Sequence, residues 1–302
     1  MTTALRETTL ERRYRRLLLT YPRDYRSDHG DELIGLLLDT AEPGSSMPSL
    51  KEAAGLVAGG LRARLARGTR GPAWADGLHL GVTVLTVANL ATLMPFARTL
   101  PLWVALSALA ALAVLRGWVR SALPLVLLTG LKAGTLATAT PLLDHTILPV
   151  FPDFFVTGAL YSTGGLLSAV TGHVLAFAGL SALAVRRQPV HTRSWWWLLL
   201  LPLIAAADPV WLGREAGAPQ PLVKIIGEIA LLGLAVWAGH VARDPRWALA
   251  SAMYLLAASV AFGESLSYLS LSPQDMAHWA LLALLTLAGA VVPYGHRRRA
   301  FH

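Results

Sequence analysis

The stretch Leu61–Gly71, LRARLARGTRG, carries four arginines immediately before the chain becomes apolar and stays so almost to its end. Short flanks rich in Lys and Arg remain on the cytosolic side of a bilayer, so this stretch predicts the orientation of every later membrane span. Half of the 18 acidic residues precede it. We therefore predict a cytosolic head over 1–70, a transmembrane domain over 71–296 and a basic cytosolic tail over 297–302.

The composition outside this stretch predicts an integral membrane protein. The chain has 302 residues, of which 54% are hydrophobic and only 15% charged, with a mean hydropathy of +0.51. That is too little charge to cover a soluble protein of this size. The net charge of +8 lies in short clusters between apolar blocks, which favours a topological role over direct nucleic-acid binding. Abundant Arg, Ala and Gly are typical of a GC-rich genome and indicate a bacterial inner membrane.

The absence of cysteine excludes disulfides, thiolate metal sites and cysteine nucleophiles. Residues 1–30 are densely charged and contain no apolar core of a secretory signal, so we expect the head to stay in the cytosol.

The sequence of the head predicts three amphipathic helices. Thr8 with Glu11 and Ser49 with Glu52 form capping boxes, and Pro22 suits the first turn of the second helix. Residues at helical spacing predict three buried stripes. These are Leu10, Tyr14, Leu17, Leu18 and Tyr21; then Tyr25, His29, Leu33, Leu36 and Leu37; then Leu50, Ala54, Val57, Leu61 and Leu65.

The run from Tyr14 to Leu33 resembles the helical prefix of many bacterial membrane proteins, described as HAAS-type signalling or permease-prefix domains. The resemblance covers roughly residues 8–68. It implies that the head binds a cytosolic partner, either a PadR-type transcription regulator or the ATPase of an exporter, and it supplies no catalytic residues. The candidate partner-binding residues are Tyr21, Pro22, Tyr25, Arg26, His29, Gly30 and Glu32. In the alternative interpretation, Tyr25 and His29 complete the small core and Arg26 or Asp31 satisfies their polar tips.

Beyond residue 71 the apolar blocks predict about eight spans, since a span needs about 20 apolar residues. We place them at 77–97, 100–116, 121–140, 160–185, 195–213, 221–241, 247–269 and 276–295. Basic clusters then fall on alternate connections, which predicts that both termini are cytosolic. The ten tryptophans fall near predicted span ends, as in an interfacial aromatic belt. The segment 146–162 is either an outer loop or a re-entrant piece.

Five ionisable residues inside these spans are candidates for binding a ligand or moving a solute. They are Lys132, Glu228, His173, Asp208 and Glu264. Such residues are costly in a bilayer and are usually functional, so together they predict a polar cleft in the outer half of the membrane. Either Lys132 pairs with Glu228, or Lys224 and Glu228, which stand four residues apart on one helix, pair with each other instead. In the structural alternative, each group caps a helix end, extends to the interface or makes one ion pair.

No motif of a known catalytic site is present. The sequence lacks H-E-x-x-H, G-x-S-x-G and phosphate-binding loops, and no two histidines stand at the spacing of a helical metal pair. We therefore expect no enzymatic activity, no metal and no cofactor. The leading hypothesis is a sensory or regulatory membrane protein whose head contacts a regulator. The alternative is a transport component, a permease subunit or secondary carrier, that uses the intramembrane charges.

Overall fold

The computed structural model describes residues 9–41, 46–67, 72–138, 140, 142–143, 148, 165–187, 190–206, 222–267 and 272–299. Over these residues the protein is all-α. The helices are α1 Thr9–Leu18, α2 Arg23–Thr40, α3 Leu50–Arg67, α4 Ala73–Leu93, α5 Pro101–Leu115, α6 Val119–Ala137, α7 Leu166–Val185, α8 Leu200–Ala206, α9 Leu222–Ala242, α10 Arg246–Ser267 and α11 Pro273–Arg299. The chain forms two compact units, Met1–Arg70 and Gly71–His302.

The first unit contains α1, α2 and α3 around its own core. Its buried side chains are Leu10, Tyr14, Leu18, Tyr21, Ile34 and Leu56. The second predicted capping box is confirmed: the Ser49 backbone N–H donates to Glu52 Oε2 at 3.1 Å, and the Glu52 N–H donates to Ser49 Oγ at 3.2 Å. Thr8, of the first box, lies outside the described residues. The Tyr14 hydroxyl also donates to Glu52 at 3.0 Å, which ties α1 to the start of α3.

The predicted stripe of α1 is confirmed, but those of α2 and α3 are partly wrong. Leu36 is 63% exposed and Leu50 is 90% exposed, while Ile34 and Leu56 are buried instead. The cause in α3 is a pair of glycines. A Cβ at Gly59 or Gly60 would overlap the Tyr21 hydroxyl or the Thr20 side chain, so these glycines allow α3 to approach the turn after α1 closely. Leucine periodicity alone does not reveal that contact.

Helix α4 is the centre of the second unit. It packs against α5, α7, α8 and α10; α6 joins α5 and α7, and α9 and α11 pack together beside α10. In α4, 67% of the most apolar stretch is buried, against at most 33% in the other long helices. Two glycines permit this crowding, because a Cβ at Gly77 would lie 2.7 Å from the Arg246 carbonyl oxygen and one at Gly81 would overlap Met253.

Six of the described helices are long and apolar enough to cross a bilayer, namely α4, α6, α7, α9, α10 and α11 as far as Pro293. The second predicted span is the 15-residue helix α5. The fifth is described only to residue 206, as a 3₁₀ turn at Trp195–Leu199 followed by the seven residues of α8. Except for residue 148, the segment 146–162 lies outside the described residues. Helix α11 is described as far as Arg299, and residues 300–302 of the predicted tail lie outside the described residues.

The outer surface of these helices is apolar. Large side chains that are at least about half exposed include Leu127, Leu131, Val174, Val185, Ile226, Leu234, Leu256, Leu284, Leu287 and Val291. A soluble protein rarely exposes so much continuous apolar surface, whereas a bilayer would cover it. Together with the length of the helices, this surface identifies a polytopic α-helical membrane protein.

Most described basic residues of the second unit lie at one end of it, where α4 begins. They are Arg116, Arg120, Arg186, Arg187, Arg193, Arg243 and Arg246. Two of them lie over tryptophan rings at this end: Arg116 is 5.0 Å from the centre of Trp195, and Arg186 is 5.3 Å from that of Trp74. We call this the basic end.

Candidate functional site

Three helices bring Glu228, Tyr254 and His278 together inside the apolar body. The Tyr254 hydroxyl donates a short hydrogen bond to Glu228 Oε1, and His278 Nε2 lies 2.6 Å from Glu228 Oε2. Each of the Glu228 and His278 side chains is 12% exposed. Lys224, one turn before Glu228 on α9, is close enough to interact with it electrostatically. The cluster, Glu228–Tyr254–His278, therefore joins α9, α10 and α11 through ionisable groups.

The contact between His278 and Glu228 depends on a proton. An imidazole nitrogen and a carboxylate oxygen repel at 2.6 Å when both carry lone pairs, so a proton must lie on one of them. The two atoms lack the alignment of a hydrogen bond, which leaves both without a hydrogen-bond partner in the described part of the chain. A proton on Nε2 is present in one neutral tautomer as well as in the imidazolium, so the contact brings an N–H group to a carboxylate oxygen in either form.

Lys132 lies in a different environment. It is buried on α6, its ammonium group is 5.3 Å from the centre of the Trp103 ring, and it donates to the Leu142 carbonyl at 3.4 Å. Lys224 acts electrostatically on Glu228 from the same helix, in keeping with the local pairing suggested by the sequence. The pairing of Lys132 with Glu228 stays a prediction.

Glu264 caps a helix. Its two carboxylate oxygens accept the backbone N–H groups of Leu167 at 3.1 Å and Ser168 at 2.7 Å, in the first turn of α7. A carboxylate is favourable there because the first N–H groups of a helix lack internal partners. Gly165 is required beside it, since a Cβ would overlap the carboxylate. Capping a helix end is the structural role that the sequence offered for Glu264 as the alternative to ligand binding.

His173 is buried between α6 and α7. Neither ring nitrogen makes an aligned hydrogen bond in the described part of the protein, although the Ala169 carbonyl is near the ring. A Cβ at Gly130 would lie 2.8 Å from the His173 Cβ, so glycine makes room for the imidazole. Asp208, the fifth candidate, lies outside the described residues. Glu228 and Glu264 have different described partners, and the cleft formed by all five candidates stays a prediction.

The structure also shows an ionic network at the basic end that the sequence did not predict. Asp76 on α4 accepts Arg193 at 2.7 Å on Oδ1 and Arg246 at 2.7 Å on Oδ2. Asp244 accepts the Arg246 guanidinium at 2.9 Å and its backbone N–H at 2.9 Å. All four carboxylate oxygens thus have donors, and two Asp balance two Arg. We call this set the Asp76 network.

The Asp76 network extends into the neighbouring helices. Arg193 donates to His79 Nδ1 at 3.3 Å, and His79 Nε2 lies 2.8 Å from the Val114 carbonyl oxygen, so the imidazole is neutral with its proton on Nε2. The Arg193 backbone N–H donates to the Leu115 carbonyl at 2.7 Å. Burial lowers the pKa of Arg193 below its usual value, and Asp76 opposes that change. The network joins two parts of the chain to α4: the segment before Trp195 and the start of α10.

A sequence signal for this network did exist. Asp76 is an acidic residue at the beginning of an apolar span, where an unpaired carboxylate is unfavourable. Membrane topology already accounts for the arginines of the connections, so the sequence alone gives no further reason to pair any of them with Asp76. Arg193 and Arg246 lie 117 and 170 residues from Asp76, so only the packing of α4, α5 and α10 brings them together.

The candidate residues of the head lie on both sides of α2. Tyr21 is buried and stacks on Tyr25 at 5.0 Å, and Gly30 is buried. His29 and Glu32 are exposed, with 3.8 Å between His29 Nδ1 and Glu32 Oε2. Pro22 precedes α2, and its carbonyl accepts the Arg26 N–H at 3.1 Å. Part of the motif therefore builds the core and part of it faces solvent.

Comparisons of the chain with family models, with curated proteins and with solved structures gave no significant match. Within the described residues no group of three His, Asp or Glu side chains is placed to hold a metal ion.

Proposed function

We propose that this protein is a sensory or regulatory protein of a bacterial inner membrane. Its body responds to conditions within or across the membrane, and its cytosolic head binds a regulator. The observation that carries the proposal is the Glu228–Tyr254–His278 cluster. Ionisable groups are costly inside apolar helices and are therefore candidates for a functional site, and this cluster joins three such helices through one carboxylate.

The proposed topology has eight spans with both termini in the cytosol. The basic end of the body would then face the cytosol, in accordance with the preference of Arg-rich connections for that side. Under this topology α5 and the segment beginning at residue 195 complete the set of eight. The Glu228–Tyr254–His278 cluster lies nearer the opposite face, because Glu228 is about 9 Å along the helix axis from the start of α9.

The head supports a binding role through one face of α2. His29, Glu32 and Leu36 stand at helical spacing and are exposed, and Leu36 is an apolar side chain that no described part of the head covers. A helix face that carries an apolar residue beside polar ones is able to pack against a groove of a partner protein. The resemblance to HAAS-type prefixes favours a transcription regulator of the PadR type as the partner, and an exporter ATPase as the alternative.

A crosslinking experiment on the full-length protein tests this role. A photo-reactive amino acid at position 36, in native membranes, should capture a DNA-binding regulator, and Glu32→Lys should reduce the yield. The same amino acid at Leu127 on the apolar surface is the matched control and should capture none. If positions 29, 32 and 36 all yield no cytosolic protein, the proposed role of the head is wrong.

Transport is the second candidate, because a buried carboxylate beside a histidine also suits a proton-coupled carrier. In liposomes with an imposed pH gradient, wild-type protein would then accelerate proton flux and Glu228→Gln would abolish the acceleration. Equal flux in wild type, Glu228→Gln and protein-free liposomes would exclude this function and leave the sensory one.

A further inference from the structure

A cavity of about 390 Å³ opens at the basic end, where the turn between α5 and α6 meets the end of α7. Its polar lining includes Arg120, Ser121 and Arg187, beside the ring of Trp118. No carboxylate is among the residues that line it. The cavity is therefore a basic recess at the margin of the apolar body, separate from the Glu228–Tyr254–His278 cluster.

The two arginines of this cavity differ from the others at the same end. Arg193 and Arg246 are neutralised by Asp76, and Arg116 and Arg186 lie over tryptophan rings. By contrast, neither Arg120 nor Arg187 has an ion pair or a side-chain hydrogen bond within the described part of the chain. Two guanidinium groups beside one recess repel each other, and an anion between them would remove that repulsion.

The backbone holds these groups in place. Gly117 has φ of +73°, and the Trp118 N–H donates to the Ala113 carbonyl at 2.8 Å, which ends α5 in a Schellman turn. Arg187 ends α7 with φ of +47°, a conformation for which glycine is usual. An arginine therefore occupies a position where glycine would be easier to accommodate. Its side chain is a lining residue of the cavity.

The surroundings indicate that the anion belongs to a lipid. Below Arg120, the same face of α6 continues with Pro124, Leu127 and Leu131, all exposed. Trp118, 64% exposed at the mouth of the cavity, has the placement of an interfacial tryptophan. A charged recess above a continuous apolar face matches a phosphate headgroup above its acyl chains.

We propose that this cavity binds the headgroup of an anionic phospholipid such as phosphatidylglycerol. The phosphate lies between Arg120 and Arg187, and the acyl chains follow the face of α6 from Pro124 to Leu131. Basic recesses between membrane helices recognise anionic headgroups by this chemistry. The first turn of α6 adds to the attraction, because Trp118 provides no capping side chain for its N–H groups. The site requires the body to lie in a bilayer, but it does not depend on the sensory role.

Binding can be measured with full-length protein in a neutral detergent by titrating phosphatidylglycerol and counting bound lipids by native mass spectrometry. Phosphatidylcholine with the same acyl chains is the reference lipid. We expect the wild type to prefer phosphatidylglycerol by about 30-fold, because each arginine contributes about fivefold. Arg187→Gly and Arg120→Gln should each reduce the preference about fivefold, and the double variant should abolish it.

Two controls distinguish binding in this cavity from misfolding and from a general attraction of anionic lipid to positive charge. Arg187→Gly suits the left-handed backbone, so its folded body should be at least as stable as the wild type, and a lower preference cannot then be attributed to misfolding. Arg98→Gln removes the same charge from the opposite end and should leave the preference unchanged. An equal loss in Arg98→Gln, or equal binding of the two lipids by the wild type, would overturn the proposal. Inorganic phosphate that displaces the lipid at micromolar concentration would show that the site takes a soluble anion, and would overturn it too.

Discussion

The Asp76 network and the Glu228–Tyr254–His278 cluster are both buried sets of ionisable groups in one helical body, but they are built differently. In the first, two carboxylates receive donors on all four oxygens, and two arginines balance the charge. In the second, one carboxylate receives a tyrosine on one oxygen and a histidine, without hydrogen-bond alignment, on the other.

The difference separates a fully satisfied network from a partly satisfied one. The Asp76 network joins the basic end of α4 to α10 and to the segment before Trp195 through donors on every carboxylate oxygen. In the Glu228–Tyr254–His278 cluster, Glu228 Oε2 and His278 Nε2 lie 2.6 Å apart without an aligned hydrogen bond. Variants in the Asp76 network should therefore lower stability more than variants in the cluster.

The largest effect is expected from Asp76→Asn. The substitution removes the shared counter-ion of Arg193 and Arg246, whose side chains are only 15% and 3% exposed, and leaves their charges partly unpaired. We expect the free energy of unfolding to fall by about 3–5 kcal/mol, measured by reversible denaturation in mixed micelles. Arg120→Gln, which removes an exposed charge at the same end, should change it by less than about 0.5 kcal/mol. Equal stability of Asp76→Asn and wild type would mean that the network does not stabilise the packing of α4 against α10.

Gly77→Ala should have the next largest effect. A Cβ at Gly77 would lie 2.7 Å from the Arg246 carbonyl, so α4 and α10 must move apart where the Asp76 network joins them. We expect a loss of about 1–3 kcal/mol in the same assay. Gly233→Ala on α9 is the matched control: nothing lies within 4 Å of its added Cβ, and alanine favours the helix by about 1 kcal/mol. A stabilising Gly77→Ala would contradict the close approach of the two helices.

A smaller effect is expected from Glu264, which joins α10 to the first turn of α7. Glu264→Ala removes both acceptors and the favourable charge, for a loss of about 1–2 kcal/mol. Glu264→Gln retains one acceptor oxygen and should lose about half as much. Hydrogen exchange of the amides of Leu167 and Ser168 provides a local measurement, and it should accelerate more in the alanine variant. Unchanged exchange in both variants would argue against the cap.

The smallest change in stability is expected from Glu228→Gln. The substitution removes the carboxylate charge beside His278 but keeps one oxygen that can accept the Tyr254 hydroxyl. We expect the free energy of unfolding in the same assay to fall by about 1 kcal/mol.

His278→Gln should lower the free energy of unfolding by a similar amount, because it removes the ring that faces Glu228 Oε2. His191→Gln changes an exposed histidine of the basic end and should leave stability unchanged. A loss in Glu228→Gln as large as that in Asp76→Asn would remove the distinction between the two sets of groups.

Much of the secondary structure follows from the sequence alone, because apolar block length, capping residues and helical periodicity are local properties. The Ser49–Glu52 box and the buried face of α1 are examples. The faces of α2 and α3 are harder to predict, since Gly59 and Gly60 control the approach of α3 through shape rather than hydrophobicity. Glu228 and Glu264 stand out as candidates because intramembrane charge is rare, but sequence does not reveal whether each one caps a helix or meets a histidine.

What the sequence by itself determined is the class of the protein. Its low charge and long apolar helices make it a polytopic membrane protein, and the arginines of Leu61–Gly71 lie where the charged head gives way to the apolar body. Only the tertiary structure decided the partners of the ionisable groups: Asp76 with Arg193 and Arg246, Glu228 with Tyr254 and His278, and Lys132 beside Trp103. The physical reason is distance. Helix formation and membrane partitioning depend on neighbouring residues, whereas an ion pair depends on which helices pack together, and the separations here reach 170 residues.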